Sequence, residues 1–251
     1  MTRPVPQDSW IDDGLRGARV LVTGAAGGIG RAVAEAFVAV GSRVVTSDVD
    51  AAGLPGIPVC ADLRTAGAPQ TLVARASEAL GGLDVVAHLA GVLRRRSEVT
   101  DVTEEDWDLQ HDVNLRATFF LLRAAAEVMR VQGTGGRLIA ATSQSWWTGG
   151  FGGSTVYAAS KGGVVSLCRG LARSYGSIGV TVNTVAPGAI DTAMLTTGLD
   201  RDAAAAIVAA TPLGRLGTPA EVAGPVLFLA SSRAAFITAA TVNVSGGWLA
   251  Y

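Results

Sequence analysis

A chain of 251 residues with a formal net charge of −1 has no electrostatic surplus for gripping nucleic acid. It is 49% hydrophobic, yet no stretch reaches the ~20 uninterrupted apolar residues of a membrane span. Alanine and valine carry the excess, and a single domain located in the cytoplasm is expected.

The opening segment, 1–17, holds Pro4, Pro6, Asp8, Asp12 and Asp13 and no apolar core. It reads as a flexible arm and not as a secretory signal. One domain is expected over 18–251, with a substrate lid at 190–212. Ala18 to Thr23 is a buried strand, Thr23-Gly24-Ala25-Ala26-Gly27-Gly28-Ile29-Gly30 a glycine turn, and Arg31 to Val40 a helix with apolar residues at Val33, Phe37 and Val40. A strand, a glycine turn and a helix start in that order form a pyrophosphate cradle: glycine allows close backbone approach, and the helix offers free amides and its positive dipole end. Gly24, Gly28, Ile29 and Gly30 are the candidate contacts.

The next strand, Arg43 to Ser47, ends at Asp48, eighteen residues beyond Gly30. There a carboxylate accepts hydrogen bonds from ribose hydroxyls and repels a ribose phosphate. Neither the glycine turn nor Val49 and Asp50 supplies a basic residue for that phosphate. NAD is therefore expected over NADP.

Further strands are expected at Val59 to Ala61, Leu83 to Ala87, Arg137 to Thr142, Val180 to Val185 and Thr241 to Val244. Between them lies a helical stripe of Val113, Ala117, Phe120, Leu121, Ala124 and Val128. A helix carrying Tyr157 runs towards Tyr175, and another spans Pro219 to Ala230, with proline suited to its first turn. Cys60 and Cys168 read as buried reduced thiols. His88 and His111 lack partners at metal-ligand spacing, so no metal is expected. The absence of Gly-x-Ser-x-Gly removes the main sign of an α/β hydrolase.

Lys161 is the only lysine beside nineteen arginines, and it lies four residues after Tyr157. At that spacing two helical residues share one face. An ammonium is a compact charge where guanidinium is a bulky fork. A unit charge ~4 Å away at an effective dielectric of ~20 contributes ~4 kcal/mol. Since ~1.4 kcal/mol equals one pKa unit, such a neighbour could bring a phenol from ~10 towards neutrality, which would make Tyr157 a usable acid or base.

With Thr-Gly-x-x-x-Gly-x-Gly at 23–30 and Tyr-x-x-x-Lys at 157–161, the chain resembles the short-chain dehydrogenase/reductase family from about Ala18 to Trp248. The resemblance implies a single-domain doubly wound Rossmann fold, with a mainly parallel seven-stranded sheet and helices on both faces. It further implies that Asp62 and Leu63 contact adenine and that Ala90 and Gly91 border the cofactor. Pro187, Gly188, Ile190 and Thr192 would close over nicotinamide. Tyr157 would move the proton and Ser143 would hold the substrate oxygen. Lys161 would tune Tyr157 and grip the nicotinamide ribose, and Asn114 would hold a water linking the lysine to solvent. Ser145 is the rival to Ser143. The chain departs from the family pattern at His88 and Leu89, where two asparagines are usual; their sheet-steadying contacts are either remade by the imidazole or lost. A homotetramer is implied by the resemblance alone.

The expected substrate is a small secondary alcohol or ketone, with a cyclic diol or sugar included. Ser143, Gln144, Trp147, Tyr157 and Met194 are its candidate contacts, while Trp146 reads equally as core and Leu195 lies beside Met194 at the start of the lid. Arg94-Arg95-Arg96 reads as a solvated loop or as a contact for an anionic substrate. The alternatives are a 3-oxoacyl reductase and a non-catalytic NAD sensor.

Overall fold

A computed structural model describes residues 13–150, 152–197 and 201–250. Seven parallel strands form one sheet: β1 (Arg19–Thr23), β2 (Arg43–Asp48), β3 (Ile57–Cys60), β4 (Val85–His88), β5 (Gly136–Ala141), β6 (Val180–Pro187) and β7 (Thr241–Val244). Their order across the sheet is β3-β2-β1-β4-β5-β6-β7. The direction of winding reverses between β1 and β4, which pair in parallel from Val20 opposite Val85 to Thr23 opposite His88. At such a switch point the loops leaving the carboxyl ends of the strands part and open a crevice.

Nine helices occur among the described residues: α1 (Gly28–Ala39), α2 (Ala68–Leu80), α3 (Glu104–His111), α4 (Ala117–Gln132), α5 (Ser145–Thr148), α6 (Thr155–Tyr175), α7 (Ala193–Thr196), α8 (Arg201–Ala210) and α9 (Pro219–Ala230). Two apolar layers sandwich the sheet. One face packs Leu72, Leu121, Leu122, Met129, Val164 and Leu171 from α2, α4 and α6. The other packs Val33, Phe37, Val222, Val226 and Leu229 from α1 and α9. Strands covered on both faces read as near-continuous apolar runs, as Val-Leu-Val in β1 does.

The stripe expected on the fourth helix is rotated. Leu122, Ala125, Ala126 and Met129 are buried beside Ala117 and Leu121, while Phe120, Ala124 and Val128 are only half-buried. A π-helical turn over Asp112–Arg116 explains the shift, because its wider turn inserts a residue and resets the phase of the helix that follows. Phe120 instead lies under Arg116 and Arg123, at 5.4 and 5.0 Å from their guanidinium carbons.

Two other expectations change. Of the segment read as an arm, residues 1–12 lie outside the described residues, but 13–17 belong to the domain. Leu15 is 2% exposed in the core, and Asp13 accepts at its carbonyl from the Ser232 amide at 2.9 Å. Cys60 is exposed, because β3 is an edge strand whose alternate residues face outward; Cys168 is buried on α6.

Candidate active site

The glycine turn leaves β1 and enters α1 without a side-chain cap, and no acidic residue occupies the first helical turn. The first amides of a twelve-residue helix therefore point outward unpaired, the arrangement that receives an anion. Gly24 has a φ of +71°, and a Cβ there would lie 2.6 Å from the Ala90 amide nitrogen, so only glycine lets this loop pass the end of β4. Across the opening, a Cβ on Gly28 would meet Thr192 Cγ2 at 2.9 Å. The glycine turn and the Ile190–Thr192 segment thus face one another over the crevice, with Ile190 buried and Thr192 preceding α7.

Asp48 ends β2 with one carboxylate oxygen accepting from the Ala26 amide at 2.9 Å and the other from Val49 at 2.7 Å. These bonds fix the carboxylate beside the glycine turn with acceptor capacity to spare. The uncapped helix start, the glycine cradle and this carboxylate fit a dinucleotide. Asp62 is held in a fork by Arg64, whose Nη2 lies 2.6 Å from Oδ2, and that contact keeps its carboxyl below the usual range. Leu63 is buried in the core cluster.

On the other side of the crevice stand Ser143, Tyr157 and Lys161. Ser143 lies two residues beyond β5; its hydroxyl accepts from the Ser145 amide at 3.2 Å and meets the Ser145 hydroxyl at 3.1 Å. Of the two serines, Ser143 is the one whose hydroxyl acts on the pKa of the Tyr157 phenol. Burial raises the phenol's pKa, and the Ser143 hydroxyl and then the charge of Arg95 pull it back. Lys161 is 3% exposed, with its amine 5.8 Å from the centre of the Tyr157 ring and 2.8 Å from the Ala141 carbonyl. Burial drags its own pKa down to about 8. The spacing did bring the two residues to one face, with the lysine amine also bonded to a backbone carbonyl.

Asn114 sits in the π-helical turn, fully buried, and is a clamp. Its Oδ1 accepts from the Val92 amide at 2.8 Å, while Nδ2 donates to the Val92 carbonyl at 2.9 Å and to Ser160 Oγ at 3.0 Å. It ties the loop after β4 to α6. A Cβ on Gly91 would stand 3.1 Å from Lys161 Nζ and 3.2 Å from Asn114 Oδ1, so loop, lysine and asparagine are in contact.

The imidazole remakes the contacts at the unusual position. His88 bridges Thr23 Oγ1 through Nδ1 at 2.7 Å and Thr118 Oγ1 through Nε2 at 2.9 Å, joining β1, β4 and α4. Burial, and then the nearby Lys161 charge, lowers its pKa to about 3, so it is neutral. Nothing in the sequence spacing pointed to the threonine pair.

The substrate side is open. Trp147 is 57% exposed and Met194 48% exposed. Trp146 is the packing member of the tryptophan pair, lying 5.8 Å below the Arg169 guanidinium of α6. Gln144 differs from expectation: its backbone N–H donates to the Pro187 carbonyl at 2.9 Å, and its side-chain Oε1 is buried against Gly188. It faces the cofactor-side segment rather than the open mouth. Among the described residues no cluster of potential metal ligands occurs, and no helix is long and apolar enough to cross a membrane.

Comparison with known proteins agrees with this geometry. Residues 24–249 match the family model described as Enoyl-(Acyl carrier protein) reductase. The chain is 32% identical over 249 residues to 2-dehydro-3-deoxy-D-gluconate 5-dehydrogenase of Escherichia coli (strain K12), covering 94% of this chain and 97% of the relative. It is 37% identical over 242 residues to the 3-oxoacyl-[acyl-carrier-protein] reductase FabG of Vibrio cholerae, covering 93% and 98%. Among solved structures, a short-chain type dehydrogenase/reductase from Mycobacterium marinum superposes with a TM-score of 0.86 at 29% identity, covering 94% of this chain and 97% of the other.

Proposed function

Because the chain belongs to the short-chain dehydrogenase/reductase family, an oxidoreductase family that binds NAD(P), we propose that it is an NAD-dependent enzyme interconverting a small secondary alcohol and its ketone. The observation that carries this reading is the convergence of Ser143, Tyr157 and a buried Lys161 on the crevice that the glycine turn borders from the other side.

The Ser143 hydroxyl and the Tyr157 phenol hold the substrate oxygen together. In oxidation Tyr157, ionised to the phenolate, takes the hydroxyl proton and becomes the phenol, and Ser143 donates to the oxygen while charge develops on it; in reduction the phenol gives that proton back. Donors fixed in advance at that atom stabilise the transition state without reorganising. When bound, the nicotinamide supplies the two-electron acceptor. Lys161 keeps two N–H donors beyond its bond to Ala141 with which to hold ribose hydroxyls, and its lowered pKa suits proton exchange near neutral pH. Asn114 positions the Gly91 loop and α6 about the lysine. Asp48 favours NAD by repelling a 2′-phosphate.

A 3-oxoacyl reductase is the second reading, favoured by the FabG relative and by the family model's description. A non-catalytic NAD sensor would have no use for a phenol, a serine and a buried lysine brought to the same side of the crevice. The reading includes a homotetramer. It is tested by a panel of secondary alcohols, sugars, ketones and 3-oxoacyl thioesters, followed by nicotinamide absorbance with both cofactors. NAD-linked turnover of an alcohol supports it; turnover of the thioester with NADPH alone selects the second reading.

A further inference from the structure

The three arginines after Gly91 have different fates. The Arg94 amide donates to Gln110 Oε1 at 3.2 Å. Arg96 forks onto Asp106, with Nε 2.7 Å from Oδ2 and Nη2 3.0 Å from Oδ1, and its carbonyl accepts from the Gly153 amide at 3.2 Å. The two ends of the triplet are thus fastened to α3 and to the turn before α6. Arg95, between them, reaches the lid: its Nη1 donates to the Leu195 carbonyl of α7 at 3.0 Å. Its charge also acts to lower the pKa of the Tyr157 phenol.

Among the described residues Arg95 has no carboxylate within ion-pair distance, whereas Arg19, Arg64, Arg96, Arg130 and Arg215 each have one. A guanidinium carries five N–H donors in a planar fork. One is spent on a neutral carbonyl, which leaves Nε and Nη2 to grip a planar anion in two-point fashion. An exposed arginine is ordinary on a protein surface, but this one stands between two fastened neighbours and reaches from the loop after β4 to the lid.

Resting on the oxidoreductase reading, the geometry points to Arg95 as the residue that sets substrate choice, selecting a secondary alcohol or ketone that bears a carboxylate. The carboxylate sits on the Arg95 fork while the hydroxyl-bearing carbon lies at Ser143 and Tyr157. The tie to Leu195 lets the same side chain hold the lid over the bound acid.

The test compares 2-, 3- and 4-hydroxy acids with their neutral primary amides, which match them in shape. Turnover is followed by nicotinamide absorbance, and binding to the NAD-loaded protein by calorimetry. At one chain length or more the acid is expected to bind about 30-fold more tightly than its amide, the scale of a charge-assisted pair. Arg95→Gln should reduce that acid-to-amide ratio to near one, Arg95→Lys should restore part of it, and the effect should fall on KM more than on kcat. Equal binding of acid and amide by the unaltered protein, or equal loss of both in Arg95→Gln, would overturn the assignment. Absence of turnover with preferential acid binding would leave Arg95 in place and count against the oxidoreductase reading instead.

Discussion

The Lys161 amine donates to the Ala141 carbonyl at 2.8 Å, at the end of the strand whose next residues carry Ser143. Lysine and serine are thereby referenced to one strand terminus, and the Tyr157 ring lies 5.8 Å from that amine. The site's geometry is thus set by β5 and α6 together, and it can be perturbed one residue at a time.

Lys161 changes charge near pH 8 because its burial disfavours the ammonium. A guanidinium stays charged throughout. Lys161→Arg should therefore abolish any limb of the kcat/KM profile near pH 8 and weaken NAD binding at least ~10-fold, since the planar group cannot reproduce the bond to Ala141 in a site this closed. A pH series of initial rates and an NAD titration read both effects; a limb that survives in the variant belongs to another group.

Asp48 is expected to set cofactor choice. Its carboxylate is pinned by Ala26 and Val49, so replacing it removes charge at a fixed point beside the glycine turn. Asp48→Ala should shift the NAD/NADP ratio of kcat/KM towards NADP by about 10-fold or more, on the scale of one charge repulsion. Measuring both cofactors at subsaturating concentration decides it, and an unmoved ratio would reject the assignment.

His88 makes stability depend on pH. It stays neutral in the fold down to about 3, while in the unfolded chain it protonates near 6.5. Between those values the unfolded state binds more protons, so stability falls as pH falls from about 6.5 towards 3, by about 1.4 kcal/mol per unit from this group. His88→Asn can still bond the threonines without this proton uptake. Denaturant midpoints of the two proteins should diverge progressively below pH 6. Parallel curves would show that the imidazole is not titrating alone.

Much of this was legible in the sequence. The glycine turn, Asp48 and the Tyr157–Lys161 pair were readable because each depends on local spacing, and the α9 and β7 boundaries fell where their apolar runs and Pro219 put them. What depends on backbone irregularity was not readable. The π-helical turn at Asp112–Arg116, which holds Asn114, has no residue signature, so the buried face of α4 was displaced. The Lys161 contact with Ala141 and the Thr23–His88–Thr118 bridge join residues distant in the chain. Spacing cannot reveal which of several neighbours a buried polar group will choose, nor how far burial lowers the pKa of the lysine.

Proton transfer through the Tyr157 phenol is the central claim, and Tyr157→Phe tests it most directly because it removes one oxygen and leaves the ring against Lys161. Turnover of the best substrate and NAD affinity should be measured on the same preparation. The expected result is a fall in kcat of about a thousandfold, the scale of a lost general acid–base group, with NAD affinity retained within about threefold. A variant that binds NAD and turns over at the original rate would contradict the account.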